Sequence, residues 1–281
     1  MKKLLRVFWC ILTVIGIIIV MSTVKHMIFG TKCDFAVRTC VSEKTAVRVA
    51  DAVILKGAQG EFDTEDVGMQ IVYQLAKRSI VKVVVKDFAG SGIIWKHEDG
   101  IVIVSNRHLL MNDVKADIHF GNGKTISADV IGYSQQYDIG FVKIAADQAA
   151  DNILRDIFEA VPVLYETESE AARAEFVQQY SGKRVLQVGA AIDKKTANVS
   201  TGNIKGLSFV PLFNTNVLET ACFSRAGMSG GGVFDENGRF LGMISGGEVP
   251  EGAEMREAKI TYSIPPVLIA SELETILEEK E

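Results

Sequence analysis

Arg225-Ala226-Gly227-Met228-Ser229-Gly230-Gly231-Gly232-Val233-Phe234 sets one serine inside a run of glycines, directly before an apolar pair that can start a strand. Glycines let the backbone turn tightly enough to expose the serine Oγ. They also allow two N–H groups, those of Gly227 and Ser229, to aim at one oxygen, as an acyl-transfer transition state requires. The turn alone does not decide the matter, because glycine-rich Ser-Gly-Gly segments also occur as ordinary turns. A serine hydroxyl becomes a nucleophile near neutral pH only when a neighbouring base takes its proton, and that base is commonly a histidine oriented by a carboxylate.

There are four histidines, His26, His97, His108 and His119. Only His108 follows directly on a strand-like run, Ile101-Val102-Ile103-Val104-Ser105-Asn106-Arg107-His108. His26 abuts the apolar N-terminal segment, His97 sits in the polar stretch Lys96-His97-Glu98-Asp99-Gly100, and His119 alternates with Ile118 and Phe120 as on the outward face of a strand. For the carboxylate, Tyr137-Asp138-Ile139-Gly140-Phe141-Val142 puts one acid at the mouth of a strand. Asp113, Asp117 and Asp129 lie in polar or alternating stretches that read as solvated faces. His108, Asp138 and Ser229 are therefore the candidate catalytic set.

With these residues in place a family resemblance becomes specific. Ser91-Gly92-Ile93-Ile94, Asp99-Gly100 and Ser105-Asn106-Arg107-His108 resemble the strand pair leading to the catalytic histidine of trypsin-like proteases of the HtrA/Deg type. Ala128-Asp129-Val130-Ile131-Gly132 is similar to that family's approach to its aspartate, and Val199-Ser200-Thr201-Gly202-Asn203-Ile204 to the strand that opens its second barrel. Thr220, nine residues before Ser229, matches the threonine ahead of the nucleophile loop. Gly242-Met243-Ile244-Ser245-Gly246-Gly247 resembles the strand that pairs with substrate, and Tyr262-Ser263-Ile264-Pro265 the closing strand. The resemblance implies an all-β chymotrypsin-like fold of two six-stranded antiparallel barrels. It also implies a peptide or protein substrate bound beside Ser245, Gly246 and Gly247, an oxyanion hole at Gly227 and Ser229, and a homo-oligomer, trimers being usual in this family. Phe223, six residues before the serine, is expected at the base of the primary pocket.

Departures from the family pattern fall in the nucleophile loop. Met228 stands where trypsins carry an aspartate that binds a newly cut N-terminal ammonium, so that ion pair is not available. Ala226 and Gly232 stand where HtrA-type loops tend to have proline, and both are expected to loosen the loop. A non-catalytic member of the same fold, tethered to a membrane as a binding or sensing protein, is the rival reading.

The 281 residues, 48% of them hydrophobic, suffice for one large core or two small ones. A net charge of −5 with interspersed signs argues against nucleic acid as a partner. No Cys-Xaa-Xaa-Cys or His-Glu-Xaa-Xaa-His spacing is present, so neither a metal nor another cofactor is expected.

Val7 to Val24 is an uncharged stretch of 18 residues preceded by Lys2, Lys3 and Arg6. That is long enough for a bilayer and longer than the apolar region of a cleaved signal, so it reads as a signal anchor in a cell membrane with residues 1–6 in the cytoplasm. A juxtamembrane segment over 25–62, a protease domain over 63–270 and an acidic C-terminal helix over 271–281 follow. Cys33 and Cys40 could close a small disulfide loop in an oxidising compartment, and Cys222 reads as a core residue. Asp63-Thr64-Glu65-Asp66 offers a helix cap before Val67, Ile71 and Leu75, and Ile80 to Lys86 reads as the first strand, with Lys82 and Lys86 on one face. Glu166 to Tyr180 reads as a surface helix in an interbarrel connection over 145–183. Only 52 residues follow Ser229, too few for the last strands and a PDZ domain, so a stand-alone catalytic domain is expected.

Overall fold

Runs such as Ile80-Val81-Lys82-Val83-Val84-Val85 alternate buried and half-buried side chains, the period-two pattern of strands with one face inward. The computed structural model describes residues 37–39, 67–86, 88–96, 100–149, 157–190, 198–248 and 257–279. In chain order the strands of the first half are β1 (Val37–Thr39), β2 (Ile80–Val85), β3 (Phe88–Lys96), β4 (Ile101–Ser105), β5 (Lys115–His119), β6 (Thr125–Tyr133), β7 (Gly140–Ile144) and β8 (Phe158–Ala160). Those of the second are β9 (Arg184–Gly189), β10 (Asn198–Val210), β11 (Thr215–Thr220), β12 (Ser224–Arg225), β13 (Gly232–Asp235), β14 (Phe240–Glu248), β15 (Glu257–Ala258) and β16 (Ile260–Ile264). The α-helices are α1 (Val67–Ala76), α2 (Arg107–Leu110), α3 (Glu170–Tyr180) and α4 (Pro266–Glu278).

Two closed barrels result, each of six antiparallel strands: β2-β3-β4-β7-β6-β5 and β10-β11-β16-β14-β13-β9. Closure gives every barrel strand a partner on each side, so that a free edge is left only where a strand outruns its neighbour. β1 pairs with β8, and β12 with β15, as separate two-stranded ladders. One apolar cluster fills barrel one, around Val83, Ile103, Ile118 and Val142. A second fills barrel two, around Val185, Leu218, Val233 and Ile244. A third joins residues of both barrels, among them Ile93, Phe141, Phe234 and Phe240, with Val72 of α1 and Ile269 and Leu273 of α4. Each such side chain contributes about 1.5–3 kcal/mol on full burial.

Several expectations shift. Barrel two opens with β9, not with Val199–Ile204, which lies in its second strand β10. The first strand stops at Val85, because Lys86 turns into the left-handed region at φ +48° and its Nζ lies 2.8 Å from Asp113. The helix at Glu170–Tyr180 is not purely a surface element, since Phe176 and Tyr180 are buried with the core of barrel two. At the C-terminus the expected boundary between 270 and 271 falls inside α4, whose Ile269, Leu273 and Ile276 pack into the shared core. The apolar run Val7–Val24, the Cys33–Cys40 pair, the cap residues 63–66 and His97 lie outside the described residues. Among the described residues no helix is long and apolar enough to cross a membrane.

Candidate active site

β4 is buried at all five positions and delivers the chain to the short helix α2, which carries His108 at its second residue. Asp138 reaches the same place from the turn before β7. Ser134 shapes that turn: its Oγ accepts the N–H groups of Gln136 and Tyr137 at 3.1 and 2.9 Å, and its own N–H donates to the Ile139 carbonyl. β4 and β7 are neighbours in register, Ser105 opposite Gly140, so two segments 30 residues apart converge at one rim. There Asp138 Oδ1 accepts the His108 main-chain N–H at 2.9 Å, and the two carboxylate oxygens lie 3.0 and 2.9 Å from His108 Nδ1. The hydrogen bond to Asp138, and then its negative charge, raise the His108 pKa above the ordinary imidazole value, against partial desolvation. With Nδ1 engaged, Nε2 is the ring nitrogen left for other partners.

Ser229 stands in barrel two, in the turn between β12 and β13. Gly227 and Gly230 take φ of +87° and +82°, a region that glycine enters without strain. A methyl group on Gly230 would also lie 2.0 Å from the Ser91 carbonyl oxygen. Across the turn, Met228 N–H donates to the Arg225 carbonyl, Gly231 N–H to the Met228 carbonyl, and Gly230 N–H to the Ile244 carbonyl. Gly90 connects the two barrels here: a methyl group on it would meet Leu109, the residue after His108, at 2.9 Å and the Ser229 carbonyl oxygen at 3.2 Å. Among the described residues no hydrogen bond joins Ser229 Oγ to His108.

Two of the three departures from the family pattern in this loop are packed against neighbours, while Ala226 is exposed. Met228 is fully buried and packs with Phe176, Tyr180 and Val233 in the core of barrel two. Gly232 is required by packing, since a methyl group there would strike the Phe234 ring at 2.6 Å.

On the neighbouring strand β14, pairing with β13 stops at Met243, followed only by the exchange between Ile244 and residues 230 and 231. Among the described residues no strand covers that edge of Ser245, Gly246 and Gly247, while their other edge is held by β16. A free edge of this kind accepts an extended peptide as an added strand. Gly247 faces Ser224 and Ala258, and Gly246 faces the ring of Phe213. Phe223 is half-buried, its N–H donates to Ser200 Oγ, and the Arg225 guanidinium lies 6.0 Å from its ring centroid. Arg225 is itself oriented by Asn198, whose Oδ1 accepts its Nε–H at 2.8 Å.

Two residues of the site carry roles that the sequence did not disclose. Asn106 is wholly buried and donates through Nδ2 to Ser245 Oγ at 2.6 Å and to the Asp138 carbonyl at 3.2 Å, tying β14 to the turn that carries Asp138. Ser91 on β3 is the other, its Oγ–H donating to the Gly227 carbonyl of the opposite barrel at 2.7 Å. The visible signal was a polar residue lodged in an otherwise apolar strand or at its end. Cys222 is buried in barrel two and its thiol is pushed up to about 11 by burial, which makes it a poor rival nucleophile. Among the described residues no three His, Cys, Asp or Glu side chains gather as metal ligands would.

Paired six-stranded barrels with a histidine–aspartate pair at the rim of one and a glycine-framed serine at the rim of the other define a trypsin-like fold. A model of the trypsin-like peptidase domain matches residues 90–243, and the chain belongs to that family. It is similar to a serine protease Do-like HtrA of Lactococcus lactis subsp. cremoris, 23% identical over 164 residues that make up 55% of this chain and 36% of that one. It is also similar to a serine protease HtrA-like of Staphylococcus epidermidis, 29% identical over 168 residues, 56% of this chain and 26% of that one. The match thus takes in about a third or less of these relatives' length. Among solved structures, the HtrA-type protease AlgW with tripeptide shares the fold at TM-score 0.58 and 16% identity, covering 75% of this chain and 64% of that one. The serine endoprotease from Yersinia pestis does so at TM-score 0.56 and 20% identity, with 75% and 66% covered.

Proposed function

We propose that this protein is a serine endopeptidase that hydrolyses peptide bonds through an acyl-enzyme, with Ser229 as nucleophile, His108 as general base and Asp138 as the group that orients and stabilises the imidazolium. The observation that carries the reading is the double engagement of His108 by the Asp138 carboxylate, through the main-chain N–H and through Nδ1, in a member of the trypsin-like peptidase family. Asp138 holding Nδ1 leaves Nε2 to take the Ser229 proton as Oγ attacks. The N–H groups of Gly227 and Ser229 bind the developing oxyanion, and the collapsing intermediate passes the proton from Nε2 to the leaving amine. Support for the Ser229 donor comes from its own peptide: the Met228 carbonyl is held by Gly231 N–H, and in a planar trans peptide the Ser229 N–H points the opposite way. The lack of a hydrogen bond between Ser229 and His108 favours a second reading, a non-catalytic binding protein on the same fold; catalytic contacts that tighten only with substrate answer it. Labelling of the full chain by a fluorophosphonate, lost in Ser229→Ala, is the expected result. Equal silence of both chains would give the case to the binding protein.

His108 titration sets the acid limb of activity. Because its pKa is raised above 6.5, kcat/KM should climb with pH through a midpoint above that value, as the base form appears. Asp138→Asn should lower the midpoint along with the rate. For stability the sign is opposite: the protonated ring is the favoured form, so its contribution is complete below pH 6.5 and is lost as pH rises through the folded-state value. A midpoint below 6.5 in a pH–rate profile refutes the proposed contact.

The primary pocket is proposed to lie between Phe223 and the strand Ser245 to Gly247. Phe223 brings no charge, and the cation next to it is Arg225. A substrate lysine or arginine buried there would lack a carboxylate at a cost of several kcal/mol, so cuts should follow small or medium apolar residues. Mass-spectrometric profiling of a peptide library checks this, and a majority of cuts after lysine or arginine defeats it. The run Val7 to Val24 is proposed to anchor the chain in a membrane with the catalytic domain outside the cytoplasm. Full-length chain that leaves the membrane fraction in a carbonate wash would contradict the anchor.

A further inference from the structure

Trypsins hold the nucleophile turn with an aspartate–ammonium ion pair that Met228 cannot make, and here the turn is gripped from barrel one as well as by its own hydrogen bonds. Ser91, on β3 of barrel one and fully buried, makes contacts suited to that task. Its Oγ–H donates to the Gly227 carbonyl at 2.7 Å, and its N–H donates to the Ser229 carbonyl at 2.8 Å. The same Oγ accepts the Ala190 N–H at 2.8 Å. Because Ala190 can only donate, the one hydroxyl proton of Ser91 is directed at Gly227. The Ser91 carbonyl in turn accepts Ser105 Oγ–H at 2.6 Å, three residues before His108.

The consequence for the turn follows from peptide planarity. In the peptide joining Gly227 to Met228 the carbonyl is held by Ser91 and the N–H by the Arg225 carbonyl; in the one joining Ser229 to Gly230 the carbonyl is held by Ser91 and the N–H by the Ile244 carbonyl. The peptide between them is held by Gly231. Only the Ala226–Gly227 peptide has neither group among these bonds, and its N–H is the other proposed oxyanion donor. Its direction depends on the φ of Gly227, and rotation there is resisted because the Gly227 carbonyl is anchored. We propose that Ser91 is a positioning residue that clamps the nucleophile turn from the opposite barrel, holding the oxyanion-hole peptides in their reactive orientation without an ion pair or a cleaved N-terminus.

This inference rests on the proposed peptidase activity, and its test reads the turn and the chemistry separately. In Ser91→Ala the Gly227 carbonyl and the Ala190 N–H lose their partner. Hydrogen exchange of the amides of residues 226–231 should accelerate while the strands of both barrels exchange as before. Unchanged exchange in the turn overturns the clamp whether or not the chain cleaves anything, whereas a wild-type chain silent toward fluorophosphonate sinks the activity alone. For the active enzyme, kcat on a peptide substrate should fall about 10–100-fold, less than the roughly 10²–10³-fold expected for deleting an oxyanion donor outright. KM should hold within about threefold, as for an interaction that matters only in the transition state. A peptide aldehyde, which forms an oxyanion-like adduct with the serine, should lose affinity in parallel with kcat, and the corresponding peptide alcohol should not. Equal losses for aldehyde and alcohol, or a change confined to KM, overturn the proposal. Ser91→Cys retains a weak S–H donor and should fall between wild type and Ser91→Ala in exchange and in kcat; if Ser91→Ala does not fold, wild-type values in Ser91→Cys on both measures overturn it.

Discussion

Ser229→Ala, His108→Ala and Asp138→Asn are each expected to lower kcat on the order of 10⁴-fold or more, and the Ser229→Ala/His108→Ala double variant should be scarcely slower than either single. In the proposed mechanism the three groups perform one proton transfer. Once Ser229 has no hydroxyl, His108 has no proton to accept, and removing it costs nothing further. The remaining rate over water would come from substrate alignment along the free edge of β14 and from the Gly227 and Ser229 N–H groups. A kinetic cycle closes the question: multiplicative losses in the double variant would mean that the two side chains act independently, and the proposed triad would fall. Asp138→Asn carries an added readout. An amide in place of the carboxylate can present its NH₂ to Nδ1 and favour the wrong tautomer, so the loss should be in kcat, with circular dichroism and thermal midpoint little changed.

Much of the fold and of the proposed site is legible in the sequence because it rests on local pattern. The glycines around Ser229, the apolar β4 run ending in His108 and the acid just before β7 are each read within ten residues. What stayed hidden depends on contacts between distant segments. Gln187 interrupts the apolar run of β9 and obscures the strand that opens barrel two, yet it is buried because its Nε2 donates to Thr220 Oγ1, 33 residues away. Ser91 and Asn106 sat inside recognisable motifs, but their partners lie 136 and 139 residues along the chain. At Gly232 the rings of Phe234 and Phe240 occupy the space beside the backbone, a constraint that the sequence of the loop does not display. Sequence spacing shows which face a residue takes; it does not show what the other barrel places opposite that face.

Met228 turns that difference into the second large effect. Replacing it with aspartate, the residue trypsins use before the nucleophile, is expected to unfold barrel two or bring it close to unfolding, whereas Met228→Leu should cost less than about 1.5 kcal/mol as a volume-conserving apolar exchange. The side chain is fully buried among Phe176, Tyr180, Val185, Leu218 and Leu241. An ionised carboxylate there lacks a partner, and the penalty of several kcal/mol per unpaired buried ion is a large share of a domain stability of about 5–15 kcal/mol. Burial would raise the aspartate's pKa in the folded state above its unfolded value. The folded form is then least penalised below the unfolded carboxylate pKa of about 3.9, and the loss grows as pH rises through the higher folded value. Met228→Asn, polar but uncharged, should be destabilised by an amount that does not change across that range. Thermal or urea unfolding of the three variants at several pH values separates the cases. A Met228→Asp chain as stable as Met228→Leu, with no dependence on pH, would mean that a cation reaches the new carboxylate, and the ion pair dispensed with by this chain would have been only a substitution away.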